Sequence, residues 1–314
     1  MILVCRVGLW GNLGGDLGGA LLARLETMAS FDVCALQAPD TEASLADDDE
    51  EEAASTLRFR RRALPICSLD DLATVDIVVL LAPWSPPRAV SELAACQVID
   101  LSPGARSVLP TWHVLPHPAL DLSLRLLRAL RSLSLCAVQI CSHESVAMDS
   151  ELATRELVKE TIDLLNGRGR TVTTGQPQTA FNLWPLSVAE QMQLQEDLRR
   201  CLDDAQIDLQ LVRLRVPVFY GLWQVWSLRF QQPCCAEDLA QCLQQAGIEL
   251  DDAVRAGPVA ILAEDEDAPA AQIKVTIQGG EDARHWVLYA AVDPLRFSQV
   301  ENFSELLQTL EKLL

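Results

Sequence analysis

RVPVFYG, Arg215 to Gly221, closes an apolar run, Leu209–Leu214. That run predicts a strand entering the body of a second domain. Pro217 cannot donate to a sheet ladder and Gly221 frees the backbone, so the strand bends or ends there. Working outward, AFNLWPL at Ala180–Leu186 leads into a helix over Ser187–Leu202. Ser187 followed by Glu190 is a capping-box signature. Downstream, Gln224–Phe230 alternates like a half-buried strand, and Ala236–Ala246 reads as a helix. Pro258–Leu262, Ile273–Gln278 and Trp286–Val292 read as strands, and Gln299–Leu313 as a closing helix. Upstream, Glu151–Leu165 is an amphipathic helix stopped by NGRG at Asn166–Gly169.

The amino-terminal part reads differently. Ile2–Val7 is an apolar strand, GLWGNLGGDLGG a glycine-rich turn, and Ala20–Leu25 a helix. Strand, glycine turn and helix form the dinucleotide-binding pattern, in which backbone and helix N-terminus can approach a pyrophosphate. Either that turn holds a cofactor or it serves the fold alone. Asp16 inside it would repel phosphate. Strands follow at Phe31–Leu36, Asp76–Leu81 and Val98–Leu101, with a helix at Ala89–Ala95. Such a βαβ series implies an α/β doubly wound sheet. After the second strand, APDTEASLADDDEEE is either a solvated acidic loop or a source of Asp40 for a ribose hydroxyl, which would favour NAD over NADP.

The chain has 314 residues, enough for two domains, and 49% are hydrophobic. Mean hydropathy is +0.14. No apolar run reaches the roughly 18–20 residues of a membrane span. MILVCRVG is too short for a signal-peptide apolar region, so a cytoplasmic protein is expected. A net charge of −19 argues against nucleic acid and anionic membrane as partners. The basic run Arg58–Arg62 lies close behind the acidic run Asp47–Glu52, which can neutralise it. Ten cysteines without a CxxC pair fit a reduced chain, with Cys136 buried on an inner strand and Cys234-Cys235 at a buried helix start. No metal site is expected. His113 and His117 are four apart, but Pro116 keeps them off a shared helical face, and His143 and Glu144 point apart as strand neighbours.

RVPVFYG and AFNLWPL together resemble the catalytic-domain core of the aspartate-semialdehyde dehydrogenase family, and most of all its Usg-type homologues. The resemblance implies a Rossmann-type dinucleotide-binding domain over residues 1–115. A dimerisation domain with a mixed sheet follows over 116–298, and a terminal helix, 299–314, packs back on the first domain. It aligns Gly18 and Gly15 with the third and second glycines of the family turn, and Asn12 or Gly11 with the first. Arg106 in DLSPGAR, Asp100–Arg106, takes the place of the family's phosphate-binding arginine, or is an exposed loop residue. Arg215 takes the place of the arginine that binds the substrate carboxylate. Glu190 takes the place of a substrate-binding glutamate, or caps its helix. Gln193 replaces a lysine. Pro294 and Ser298, in DPLRFSQ, replace an asparagine and a glycine near the nicotinamide, while Arg296 remains.

The positions that carry the chemistry have changed. In VLPHPALDLSLRLLRAL, Val114–Leu130, Pro118 falls where the family has its cysteine nucleophile. Leu222, seven residues after Arg215, falls where it has its histidine acid/base. The family glutamine falls loosely on Ile140. The resemblance therefore implies a catalytically degenerate homologue with no catalytic residue of its own: a binding or scaffolding homodimer. Arg106, Glu190 and Arg215 could hold a small anionic ligand. No cofactor is expected; NAD or NADP is the group if one binds, at Gly11, Gly15 and Gly18. The alternative is an NAD(P)-dependent semialdehyde dehydrogenase, converting an acyl phosphate to an aldehyde with a displaced nucleophile.

Overall fold

The computed structural model describes residues 5–11, 13, 16–36, 58–64, 74–81, 96–102, 109–149, 151–168, 177–202, 207–252, 257, 273–280 and 282–312. The chain divides into two compact units, Met1–Leu115 with Gln299–Leu314, and Pro116–Ser298.

The first unit is built on a five-stranded sheet. Its strands are β1 (Cys5–Trp10), β2 (Phe31–Leu36), β5 (Ile77–Leu80), β6 (Gln97–Asp100) and β7 (Trp112–Val114), in the order β2-β1-β5-β6-β7. Every pairing in it is parallel. Between β2 and β5 lies a small antiparallel hairpin, β3 (Arg58–Phe59) and β4 (Arg62–Ala63). Successive side chains feed opposite faces, and both faces are covered. Val7, Leu9, Ile77, Val79 and Ile99 join one core with the helices α1 (Asp16–Glu26) and α6 (Asn302–Glu311). Trp10, Val78, Leu80, Val98 and Trp112 join another. A strand buried on both faces must be apolar at every position, which is why DIVVLL shows no alternation.

β1 runs past the expected end at Val7, on through Gly8, Leu9 and Trp10. Leu9 is fully buried and Trp10 nearly so, and Gly8 pairs with Cys34 and Val78 on either side. Hydrophobic burial thus takes three residues from the expected turn, while α1 takes Asp16 through Gly19. The closing helix also differs: a π-helical stretch, Pro294–Glu301, precedes α6. Phe303, Leu307 and Leu310 on α6 are buried in the core of the first unit. The expected helix at Ala89–Ala95 and strand at Pro258–Leu262 lie outside the described residues.

The second unit carries a seven-stranded mixed sheet, in the order β12-β13-β14-β11-β8-β10-β9. The strands are β8 (Leu135–Glu144), β9 (Trp184–Pro185), β10 (Asp208–Arg215), β11 (Leu222–Phe230), β12 (Glu249–Leu250), β13 (Lys274–Gly279) and β14 (His285–Val292). β8 pairs with β10 in parallel and with β11 antiparallel. The helices are α2 (Pro118–Ala129), α3 (Glu151–Leu165), α4 (Val188–Leu202) and α5 (Ala236–Gln245). One face of the sheet packs under α2, α4 and α5, through Leu122, Leu126, Leu198, Leu239, Val138, Ile140, Leu211 and Trp226. The alternate residues, among them Gln139, Val212 and Ser227, are exposed on the other face. The strand periodicity of two therefore separates a packed face from an open one.

Among the described residues, no helix is long and apolar enough to cross a membrane.

Candidate functional site

In the first unit, the sheet order reverses beside β1, because β2 lies on one side of it and β5 on the other. The carboxyl end of such a strand is where an open α/β sheet offers a crevice. β1 ends there at Gly11, whose φ of 127° lies where only glycine is relaxed. Gly18 is required for a different reason. A Cβ on it would stand 2.6 Å from the Leu13 Cα, so the turn and α1 close on each other only with glycine at this position. Gly15, Arg106 and Asp40 lie outside the described residues. Asp100 anchors the start of the loop that leads to Arg106: its carboxylate accepts from the Ser102 N–H and hydroxyl, and from the Trp112 indole at 3.0 Å.

In the second unit, α2 opens on the sequence His117-Pro118. Pro118 is the first helical residue, where its missing N–H has no intrahelical partner to lose. His117 is the N-cap, and its Nδ1 faces the Ala119 N–H at 3.2 Å. Gln224 of β11, fully buried, fixes the end of this helix. Its Nε2 donates to the Ala119 carbonyl at 3.1 Å, and its Oε1 accepts from the Trp226 indole at 3.2 Å. Leu222, at the start of the same strand, is fully buried in the apolar core.

Around this helix mouth gather His117, Glu144 and Arg213, the last of which carries no motif of its own in the sequence. Glu144 is fully buried and takes two hydrogen bonds from Arg213, Nε to Oε1 at 2.6 Å and Nη2 to Oε2 at 2.7 Å. Arg213 Nη2 also stands 3.1 Å from His117 Nε2, and its Nη1 donates to the Glu190 carbonyl at 3.3 Å. The two arginines of RLR, Arg213 and Arg215, two apart on β10, share one face of the sheet, and their Cα partners on β8 are Ser142 and Glu144. Arg213 thus binds the carboxylate that ends β8, and the Arg215 charge lies close enough to act on it. Ile140, loosely aligned with the family glutamine, is 2% exposed in the core, and Glu144 is the residue near His117. A polar pair at matched ends of neighbouring strands is the signal that was available.

Electrostatics follow from this arrangement. Burial works to raise the Glu144 carboxyl, but the Arg213 hydrogen bonds and the surrounding positive groups outweigh it and hold it below its ordinary value. Burial, with the Arg213 and Arg215 guanidiniums, pushes the His117 imidazole down to about 4 against the opposing pull of Glu144 and Glu190. The ring keeps 36% of its side-chain surface open, so solvent tempers this shift, and the direction rests equally on the donors around it. Two donors face the imidazole, one at each nitrogen. A neutral ring can accept from only one of them, and a protonated ring from neither.

Arg215 is 2% exposed. Its Nη1 donates to the Ser145 carbonyl at 2.6 Å, and its Nη2 pairs with Asp149. Glu190 is exposed, and its carboxylate accepts from the Ser187 N–H at 3.0 Å and from the Ser187 hydroxyl. Those bonds, the largest of them to the Ser187 hydroxyl, hold its carboxyl low. The side chain of Glu190 is therefore engaged in the capping box.

The opposite face of β8 carries Cys141 and His143, with Sγ 3.8 Å from Nε2. Trp223 lies 4.9 Å from the His143 ring, and Tyr289 stacks on Trp223 at 5.9 Å. Burial raises the Cys141 thiol and lowers the His143 imidazole, so the pair rests as neutral thiol and neutral imidazole. Cys136 is only half-buried, with its Sγ donating to the Arg229 carbonyl; the bulge at Arg229/Phe230 takes this end of β8 out of the regular inward pattern. Cys234 is buried as expected, whereas Cys235 is exposed and caps α5. Among the described residues, no group of three or more potential ligands could hold a metal ion.

With this geometry in hand, the chain can be set beside known proteins. No protein-family model matches it. It is 25% identical over 227 residues to an aspartate-semialdehyde dehydrogenase of Legionella pneumophila, covering 61% of this chain and 65% of that one, so the match spans less than two thirds of that relative. It is 25% identical over 236 residues to aspartate-semialdehyde dehydrogenase 2 of Vibrio cholerae, covering 64% and 70%. Among solved structures, aspartate semialdehyde dehydrogenase II from Vibrio cholerae superimposes with a TM-score of 0.75 at 20% identity, over 98% of this chain and 99% of that one. A probable aspartate-semialdehyde dehydrogenase from Pseudomonas aeruginosa gives 0.78 at 19% identity, over 98% of each. The chain is thus similar in sequence, at low identity, to these dehydrogenases, and it has their fold.

Proposed function

We propose that the chain is a catalytically degenerate relative of the aspartate-semialdehyde dehydrogenases, of Usg type, acting as a binding or scaffolding homodimer. One observation carries this reading. The two positions aligned with the nucleophile and the acid/base hold Pro118, built into the first turn of α2, and Leu222, sealed in the core. Neither side chain can attack a carbonyl or carry a proton. When members of such a unit are lost, little remains beyond the effects of binding. No nicotinamide cofactor is proposed; should one bind, Gly11, Gly15 and Gly18 are the residues to approach it. In the second unit, Arg215 is the residue proposed to meet a small anion. The open face of the mixed sheet, with Val212, Trp223 and Tyr289, is the surface proposed for the second copy.

The competing reading, a semialdehyde dehydrogenase with a displaced nucleophile, draws on the contact between Cys141 and His143. Two facts weigh against it. That pair lies on the face of β8 opposite Glu144 and the arginines, and burial opposes the thiolate a nucleophile needs. The decisive experiment is a phosphate-dependent assay on aspartate semialdehyde with NADP and with NAD, beside nucleotide titration by fluorescence. No turnover is expected. Turnover abolished by Cys141→Ser would instead establish the displaced-nucleophile enzyme. Sedimentation analysis tests the dimer, and a monomer at micromolar concentration would overturn it.

A further inference from the structure

Arg215 and its charge partner live in different surroundings. The Arg215 side chain is 2% exposed, whereas that of Asp149 is 50% exposed. The guanidinium is not fully satisfied: its Nε is buried without a partner, and so is the hydroxyl of Ser145, whose carbonyl it holds. Asp149 reaches Arg215 across 66 residues of chain, and the reason lies in the loop after the strand. Following Arg215, the backbone tightens, with the Val218 N–H donating to the Val216 carbonyl at 2.9 Å. The Val218 and Phe219 carbonyls then accept from the N–H groups of Val146 and Ala147, each at 3.1 Å. These bonds fix the single 3-10 turn Val146–Met148, and Asp149 follows it directly. RVPVFYG thus supplies a guanidinium and, through its own loop, positions the carboxylate that meets it.

We propose that Asp149 is a built-in occupant of Arg215, filling the guanidinium edge that an external carboxylate or phosphate would take and holding that anion subsite shut. The inference rests on the reading of Arg215 as an anion-binding residue, and adds how that residue is regulated. A tethered carboxylate competes with free anions at the high effective concentration of an intramolecular partner. Tethering is what favours it: Arg213 is already committed to Glu144, and burial, Glu144 and Glu190 raise the Asp149 carboxyl just as they would oppose an incoming anion. With Asp149 removed, one Arg215 edge, the orphaned Nε and the Ser145 hydroxyl form a set of donors for the oxygens of one anion.

The test is calorimetric titration of the full chain with acetate and with inorganic phosphate, in wild type, Asp149→Asn, Asp149→Ala, and Asp149→Ala combined with Arg215→Met. Asp149→Asn keeps the size of the side chain, and thermal melting checks that each variant is folded. Binding at least about tenfold tighter in Asp149→Asn and Asp149→Ala than in wild type is expected, and its loss in the double variant. Response to acetate and phosphate alike marks a general oxyanion site, and response to phosphate alone marks a site for phosphate; either supports the closed subsite. Equal affinity in wild type and Asp149→Asn would overturn the proposal, as would a gain that survives Arg215→Met. If the double variant does not fold, the comparison of wild type with Asp149→Asn decides alone. The outcome is separable from the functional reading: turnover by the wild-type chain would refute degeneracy and leave this result standing, and equal anion affinity would refute the occupant without restoring turnover.

Discussion

The two faces of β8 have opposite fates. Ser142 and Glu144 point under α2 into a closed network in which Glu144 is fully buried and bound twice by Arg213. One residue away, Cys141 and His143 point to a half-open surface and hold each other at 3.8 Å. Both faces carry polar and titratable groups. Only the inner face carries a charge that burial has made dependent on a single partner. The lesson is that a buried charged pair can be structural, and a thiol beside an imidazole can be inert, according to which face each occupies.

This contrast can be broken first at Glu144. Glu144→Ala would leave the 7%-exposed Arg213 guanidinium without its carboxylate, and a loss of about 3–5 kcal/mol is expected in urea denaturation. Replacing both partners with leucine should recover most of that loss, because an apolar pair avoids the desolvation cost. Recovery that fails would show that the pair specifies the fold rather than merely filling space.

A smaller effect is expected at Gln224. Gln224→Leu removes the acceptor of the Trp226 indole and one donor to the Ala119 carbonyl, which keeps the Ser123 hydroxyl, and leaving the buried indole N–H unpaired costs about 1–3 kcal/mol. A change well under that range would mean that α2 is held by its leucines alone.

The pH dependence sharpens the contrast further. The folded state depresses the His117 pKa from 6.5 to about 4. Its contribution to stability is therefore fully present above pH 6.5 and is lost as pH falls towards 4, because the unfolded chain takes up a proton that the folded chain refuses. A urea midpoint that declines across this window, with a shallower decline in His117→Asn, is the expected outcome. An unchanged slope in that variant would move the acid sensitivity elsewhere. The smallest effect belongs to the open face: Cys141→Ser should shift stability by no more than about 0.5 kcal/mol. That value is for the monomer, at dilutions where the proposed dimer dissociates; a larger loss there would mean that the face packs tightly within one copy.

Much of this architecture was legible in the sequence, and the legible parts share a cause. Leu209–Leu214, DIVVLL and the helix after Ser187 announce themselves by period or by capping chemistry, both of which are local. Pro118 reads locally as the first residue of a helix, which is where α2 begins. What was not legible depended on partners far along the chain. The glycine turn was placed too early because Leu9 and Trp10 are buried by strands that lie elsewhere in the sequence. Glu190 stayed ambiguous until its carboxylate was found on Ser187. Arg213 looked like one more residue of a strand, although it is bound to a carboxylate 69 residues away.

By itself, then, the sequence determined the α/β order of elements, the capping of the helix after Ser187 and the acidic character of the chain, because each is written in neighbouring residues. Only the tertiary structure decided what the polar side chains do. It joined Arg213 to Glu144 and Arg215 to Asp149, and turned Cys141 and His143 to the opposite face. The strength of a charge or a thiol depends on its burial and on the partner within a few ångströms, and in this chain those partners are brought together by folding.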